Sequence, residues 1–147
     1  MSKTTGSIVI IVIVLLIIAG FLFDWFRSPV IETQNKIVVD ANDMIRVNSP
    51  LASSTISSPV NIAGEARGGW YFEGSFPIVL LDDSGSIIST GIAEAQGEWM
   101  TQDYVPFVAT MTFSKVGSTT GTIVLKKDNP SDRREFDAEV RVPVYFK

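Results

Sequence analysis

The 147 residues carry 16 Asp and Glu against 12 Lys and Arg, a formal charge of −4, with no histidine and no cysteine. A disulfide framework, a thiolate metal site, a cysteine nucleophile and a lipid-modified cysteine are therefore excluded, and the commonest general base near neutral pH is missing. From Ile45 onwards nine basic residues face twelve acidic ones, a charge of −3, so nucleic acid finds no basic field and is not an expected partner.

Residues 1–7 form a short polar N-terminus with one basic side chain, Lys3. Ile8 to Phe23 then contains no polar side chain. As a helix that run spans about 24 Å against a hydrocarbon core of about 30 Å. Trp25 and Phe26 extend it into the interface, so a transmembrane helix is expected over residues 8–26, with Asp24 and Arg27 reaching the headgroups. Signal-peptide cleavage does not fit, because the small pair Ala19-Gly20 is preceded by isoleucines and followed by Phe21-Leu22-Phe23. A pilin-like leader resembles a Gly followed by an apolar helix with an early glutamate; Gly6 is present and the glutamate is not. Lys3 and the α-amino group outweigh the neutral Asp24/Arg27 pair, which keeps the N-terminus inside and exports the rest. The expectation is a single-pass protein of the cytoplasmic membrane, held in the bilayer by this helix, with an extracytoplasmic C-terminal domain.

Residues 27–43 read as a tether, with one short strand in Ile37-Val38-Val39. From Met44 the pattern changes to short strands separated by turn residues, and residues 44–147 read as one domain. Seven strands are expected near Ile45, Val60, Phe76, Ile87, Phe107, Ile123 and Val140, with a Ser/Thr-rich link after Pro50. Ser75 to Leu81 is the most uniformly apolar of them and reads as the core strand. It runs into the hairpin turn Asp82-Asp83-Ser84-Gly85. Ala138, Val140, Val142, Val144 and Phe146 share one face of the last strand, where Pro143 predicts an edge or a bulge. Outside the membrane segment no window has helical period. The fold class is all-β: an immunoglobulin-like Greek-key sandwich of about seven strands rather than a closed barrel, behind one transmembrane helix.

Several ordered blocks then carry a resemblance. They are Ser58-Pro59-Val60 with Gly64-Glu65-Ala66-Arg67, Trp70-Tyr71-Phe72-Glu73 with Ser75-Phe76-Pro77, Ala95-Gln96-Gly97-Glu98-Trp99-Met100-Thr101 with Val105-Pro106-Phe107, and Lys127-Asp128-Asn129-Pro130-Ser131. From about Ile45 to Lys147 the chain resembles the immunoglobulin-like domain of bacterial spore-germination proteins, a GerMN-associated accessory domain. The resemblance implies an immunoglobulin-like fold in an extracytoplasmic accessory module, and it implies no reaction.

Trp70, Tyr71 and Trp99 are candidate members of an aromatic platform for a peptide or glycan, while Phe72 and Phe76 read as plugs of the sandwich end. Glu73 is a candidate ligand-binding carboxylate beside Asp103 or Glu98, or a cap on loop N–H groups that fixes the turn at Gly74. Asp82-Asp83 and Asp128 to Asp132 hold calcium-type oxygens without EF-hand spacing, and Asp and Asn are ordinary turn residues, so no metal or other cofactor is expected. The serines and Lys126 lack the strand–turn–helix setting of a hydrolase. The reading is a non-catalytic binding module at the cell envelope acting through protein contacts, with cell-wall glycan as the alternative ligand. Gly68 to Gly74 and Gln96 to Tyr104 are expected to share one end of the sandwich.

Overall fold

The computed structural model describes residues 38–39, 43–114 and 117–147. The expected N-terminus, the transmembrane helix and most of the tether lie outside the described residues. Among the described residues no helix is long and apolar enough to cross a membrane.

Nine strands are present there: β1 (Val38–Val39), β2 (Ile45–Ser49), β3 (Ser54–Ile56), β4 (Val60–Arg67), β5 (Ser75–Asp82), β6 (Ile87–Ala95), β7 (Tyr104–Met111), β8 (Thr120–Lys126) and β9 (Glu139–Phe146). All seven expected strands form, and β1 is the short strand anticipated in the tether. The Ser/Thr-rich link is not wholly a link. Ser54–Ile56 pairs in parallel with Val144–Phe146 of β9, because the chain leaves β2 on one layer and crosses to the other before starting β4.

The hydrogen-bonded order is β1-β2-β4-β7-β6-β5-β8-β9-β3. All but the β3–β9 pairing are antiparallel. Two layers, β1-β2-β4-β7 and β6-β5-β8-β9-β3, face each other across the core. They are not separate sheets. Glu94 and Ala95 of β6 pair with Val108 and Phe107 of β7, so one ladder folds over on itself at that corner.

The core follows from period-two alternation, which sends every second side chain inward. Phe76, Ile78 and Leu80 of β5, Val105, Phe107, Ala109 and Met111 of β7, Ile123 and Leu125 of β8, and Val140, Val142 and Val144 of β9 are buried together. A fully buried side chain of this size contributes about 1.5–3 kcal/mol. β5 lies between β6 and β8, as a core strand should.

Pro143 is neither on an edge nor at a bulge. β9 pairs with β8 in unbroken register through Thr122↔Pro143, and β3 covers its other side from Val144. The Pro143 carbonyl accepts the Ser53 N–H at 2.7 Å. In an extended strand the carbonyl and nitrogen of one residue point the same way, so the missing N–H faces the β3 side and the β8 ladder loses nothing.

β4, β6 and β8 end, and β5, β7 and β9 begin, at one end of the sandwich. We call it the loop end, since residues 68–74, 96–103 and 127–138 connect strands there. The opposite, turn end holds residues 82–86, the link through β3 and the C-terminus. β2 runs away from the loop end and β1 is antiparallel to it, so β1 runs toward the loop end.

Candidate binding site at the loop end

Residues 68–74 hold a 3-10 turn followed by a tight hairpin. Gly68–Trp70 forms the 3-10 turn, closed by the Tyr71 N–H on the Gly68 carbonyl at 3.1 Å. Phe72 and Ser75 then exchange both backbone hydrogen bonds, at 3.0 and 3.1 Å. The two residues between them, Glu73 and Gly74, have φ of 50° and 77°. Positive φ at both centres is the type I′ geometry that matches strand twist.

The second loop lies directly on the first. A Cβ on Gly68 would fall 2.1 Å from the Thr101 carbonyl oxygen and 2.3 Å from that of Trp99. Only a residue without a side chain admits this approach. The Trp99 ring lies 3.3 Å from where a Gly74 Cβ would be, and the Ala95 N–H donates to the Gly74 carbonyl at 2.8 Å. The expected pairing of Gly68–Gly74 with Gln96–Tyr104 is therefore present. The third loop joins them through the Asp128 N–H on the Trp70 carbonyl at 3.1 Å.

The aromatic residues divide differently from expectation. Trp70 is wholly buried and Tyr71 is 5% exposed, so neither presents a platform face. Both pack on Phe76, with ring centroids at 6.5 and 5.4 Å, and Phe76 packs on Phe107 at 4.9 Å. These four rings plug the sandwich end. The Tyr71 hydroxyl donates to the Val105 carbonyl at 2.7 Å, and burial pushes its pKa up to about 12. The Trp70 indole N–H is buried without an acceptor among the described residues.

Phe72, expected inside, is 42% exposed. The reason is the type I′ hairpin: the sharp reversal at Glu73-Gly74 takes Phe72 out of the alternation that buries Phe76. Met100, which the sequence did not single out, is 74% exposed. Trp99 is half-buried, packed against the core. The solvent-facing apolar residues of these two loops are thus Phe72, Met100 and part of Trp99. Glu73, Glu98 and Asp103 are exposed beside them in sequence. Between Arg67 and Lys115 the chain carries no basic residue, so this surface is apolar and anionic.

Glu73 holds the positive-φ position of the turn, and no hydrogen bond to its carboxylate is seen among the described residues. The turn at Gly74 is fixed by the backbone pair of Phe72 and Ser75 instead. Glu98 accepts the Met100 N–H at 3.4 Å, and the Asp103 N–H donates to the Thr101 hydroxyl at 3.2 Å. The three carboxylates face solvent. Among the described residues no group of three or more His, Cys, Asp or Glu could hold a metal ion. Asp82 instead turns inward on its own hairpin, accepting the N–H groups of Ser84 and Ser86 at 2.9 and 2.8 Å. The Ser84 hydroxyl, followed by the Ser86 N–H, holds its carboxyl below the usual carboxylate range.

A polar clasp closes the side of this end. Arg46 and Arg67 place their guanidinium carbons 4.1 and 4.3 Å from the Tyr104 ring centroid. Arg46 binds the Asp43 carboxylate at 2.9 Å and Glu65 at 3.2 Å. Arg67 donates to the Asp43 carbonyl at 3.1 Å and the Gln102 carbonyl at 2.9 Å, while the Tyr104 hydroxyl also donates to the Asp43 carbonyl. The Arg46 hydrogen bond, then that of Tyr104, holds the Asp43 carboxyl below its ordinary value. Sequence reasoning missed this cluster, whose members come from three separate segments, 43–46, 65–67 and 102–104. The signal available was an Asp at the tether boundary facing two arginines at strand positions.

The family comparison bears on this architecture. Residues 44–134 match the family described as the immunoglobulin-like domain of bacterial spore germination. The chain belongs to that family. The match begins one residue after Asp43 and takes in all three loops of the loop end except the last residues of the third. The family is described as an immunoglobulin-like domain and is not a known family of enzymes. No curated protein and no solved structure matches it.

Proposed function

We propose that this chain is a non-catalytic accessory module that binds a protein partner at the cell envelope through its loop end, with residues 8–26 as the anchor that holds it at the outer face of the cytoplasmic membrane. The observation that carries the reading is the exposure of Phe72 and Met100, at 42% and 74%, on two loops locked together at Gly68 and Gly74. Apolar side chains on a hydrogen-bonded scaffold bind at low entropic cost, and aromatic residues anchor protein interfaces. Cell-wall glycan is the weaker alternative, since Trp70 and Tyr71 are withdrawn from the surface and a sugar platform needs an open ring face.

The test uses the full chain in its membrane, crosslinked to its neighbours through a photoreactive group placed at Gln102. The expected result is a discrete protein adduct that disappears in Phe72→Ala with Met100→Ala while the domain stays folded. Retention of the adduct in that double variant removes the loop end from the reading. Binding of the wild-type chain to purified peptidoglycan, lost in Trp99→Ala, would replace a protein partner by glycan. An N-terminus at Met1 or Ser2 in membranes is expected; one near Phe21 would sink the anchor.

A further inference from the structure

An open cleft lies at the loop end, where the segment entering β2 meets the two aromatic loops. Met44, Arg67, Gly69, Thr101 and Gln102 line it, it holds about 330 Å³, and its walls are mainly apolar. Arg67 does not make it cationic. Its guanidinium donates to the Asp43 and Gln102 carbonyls and to the Asp43 carboxylate, and within the clasp Arg46 and Arg67 are balanced by Asp43 and Glu65.

The carboxylates around the cleft are not balanced. Glu73, Glu94, Glu98 and Asp103 are exposed, and none of them forms an ion pair among the described residues. The loop contacts bring three of them to one place. The Gly74 carbonyl accepts the Ala95 N–H at 2.8 Å and the Trp99 ring lies 3.3 Å from where a Gly74 Cβ would be, so Glu73, Glu94 and Glu98 each precede a residue of that contact. Asp103 follows Gln102 at the cleft itself.

We propose that this cleft seats one apolar side chain of a basic segment of the partner protein, whose flanking Lys or Arg side chains meet these carboxylates. The inference rests on the loop end being the binding surface. The apolar walls, continued outside by Met100, select an aliphatic or aromatic anchor. The unneutralised rim selects cations beside that anchor and rejects acidic segments by like-charge repulsion. A second copy of this chain would bring the same carboxylates to the contact, so self-association through this end is opposed.

The test titrates the full-length chain, in nonionic detergent, into dye-labelled peptides of equal length read by fluorescence anisotropy. One peptide has lysines on both sides of a central leucine, another has glutamates in place of the lysines, and a third has glycine in place of the leucine. The lysine–leucine peptide is expected to bind about tenfold more tightly than the glutamate peptide, to exceed the glycine peptide several-fold, and to weaken as salt is raised. Gly69→Leu fills the cleft without changing the charge. A Cβ there meets only the Met44 Cε, at 3.4 Å, and Gly69 is not at positive φ, so the fold tolerates it. This variant is expected to lose about tenfold in affinity with its melting curve unchanged. Glu98→Gln with Asp103→Asn should weaken binding and flatten its salt dependence.

Equal binding of the lysine and glutamate peptides overturns the proposal. So does binding that survives Gly69→Leu, which is attraction of cations to an acidic protein and not use of the cleft, and so does failure of every peptide to bind. The Gln102 photo-adduct separates such a failure from failure of the loop-end reading. An adduct present in the wild-type chain and lost in Phe72→Ala with Met100→Ala keeps the protein partner and removes only its basic segment.

Discussion

The two ends of this sandwich use their connections in opposite ways. At the turn end the Asp82–Ser86 reversal is satisfied by its own Asp82 carboxylate, and Phe113 packs on Phe146 at 5.7 Å between ring centroids. At the loop end two glycines let one loop lie on another, a buried four-ring plug closes the core, and apolar side chains remain outside. The Asp82–Ser86 reversal needs only local chemistry to fold. The loop end needs the whole domain, and it is the end with surface to spare for a partner.

The contrast is broken most severely at the plug. Trp70→Ala is expected to lose about 3–5 kcal/mol in urea unfolding, a large part of the roughly 5–15 kcal/mol a small domain has. Trp70→Phe should lose much less, because the indole N–H has no acceptor to forfeit. If the two losses are equal, Trp70 is held by a polar contact and not by packing.

At the turn end, Gly121→Ala sharpens the comparison. The new Cβ would lie 2.4 Å from the Phe146 ring and 2.6 Å from the Leu81 carbonyl oxygen. The ring can move but the β5 backbone cannot, so a loss of about 1–3 kcal/mol is expected. Tyr71→Phe, back at the loop end, removes one buried hydrogen bond to Val105 and should cost about 0.5–1.5 kcal/mol.

Acid titration probes the clasp. The folded Asp43 pKa is depressed, with Arg46 the largest cause, so its contribution is present above the ordinary carboxylate value near 3.9 and is lost as pH falls through the lower folded value. The wild-type chain should therefore lose stability on acidification more steeply than Asp43→Asn. Since the Asp43 side chain is 50% exposed, the effect is small and fades with salt. Identical pH profiles would show that the clasp does not hold the start of β2.

The smallest stability effect is expected where the largest binding effect lies. Phe72→Ala should change unfolding by no more than about 0.5 kcal/mol while removing the partner adduct. A loss comparable to Trp70→Ala would return Phe72 to the core.

How much was legible in the sequence differs along the chain in the same way. β4, β5, β7 and β9 could be read directly because alternation survives in them: Val60, Ile62, Phe76, Ile78, Leu80, Phe107, Ala109, Val140, Val142 and Val144 point inward as their spacing requires. β3 was hidden because Ser54-Thr55-Ile56 has no apolar period and pairs only with a strand about 90 residues away. Trp70, Tyr71 and Phe72 were adjacent aromatics with no period to sort them. A 3-10 turn and a positive-φ hairpin sorted them, sending two in and one out.

The sequence by itself determined that the chain from Ile45 onwards is built of short β-strands of an immunoglobulin-like family, that Ser75 to Leu81 is the core strand, and that two aromatic loops meet at one end. These are local properties, written in alternation and turn residues. Only the tertiary structure decided that the two layers are one ladder joined at β6–β7, that Asp43 is gripped by Arg46, Arg67 and Tyr104, and that the exposed residues of the loop end are Phe72 and Met100 rather than Trp70 and Tyr71. Those depend on close approaches such as Gly68 against Thr101, between residues far apart in the chain, which no local pattern encodes.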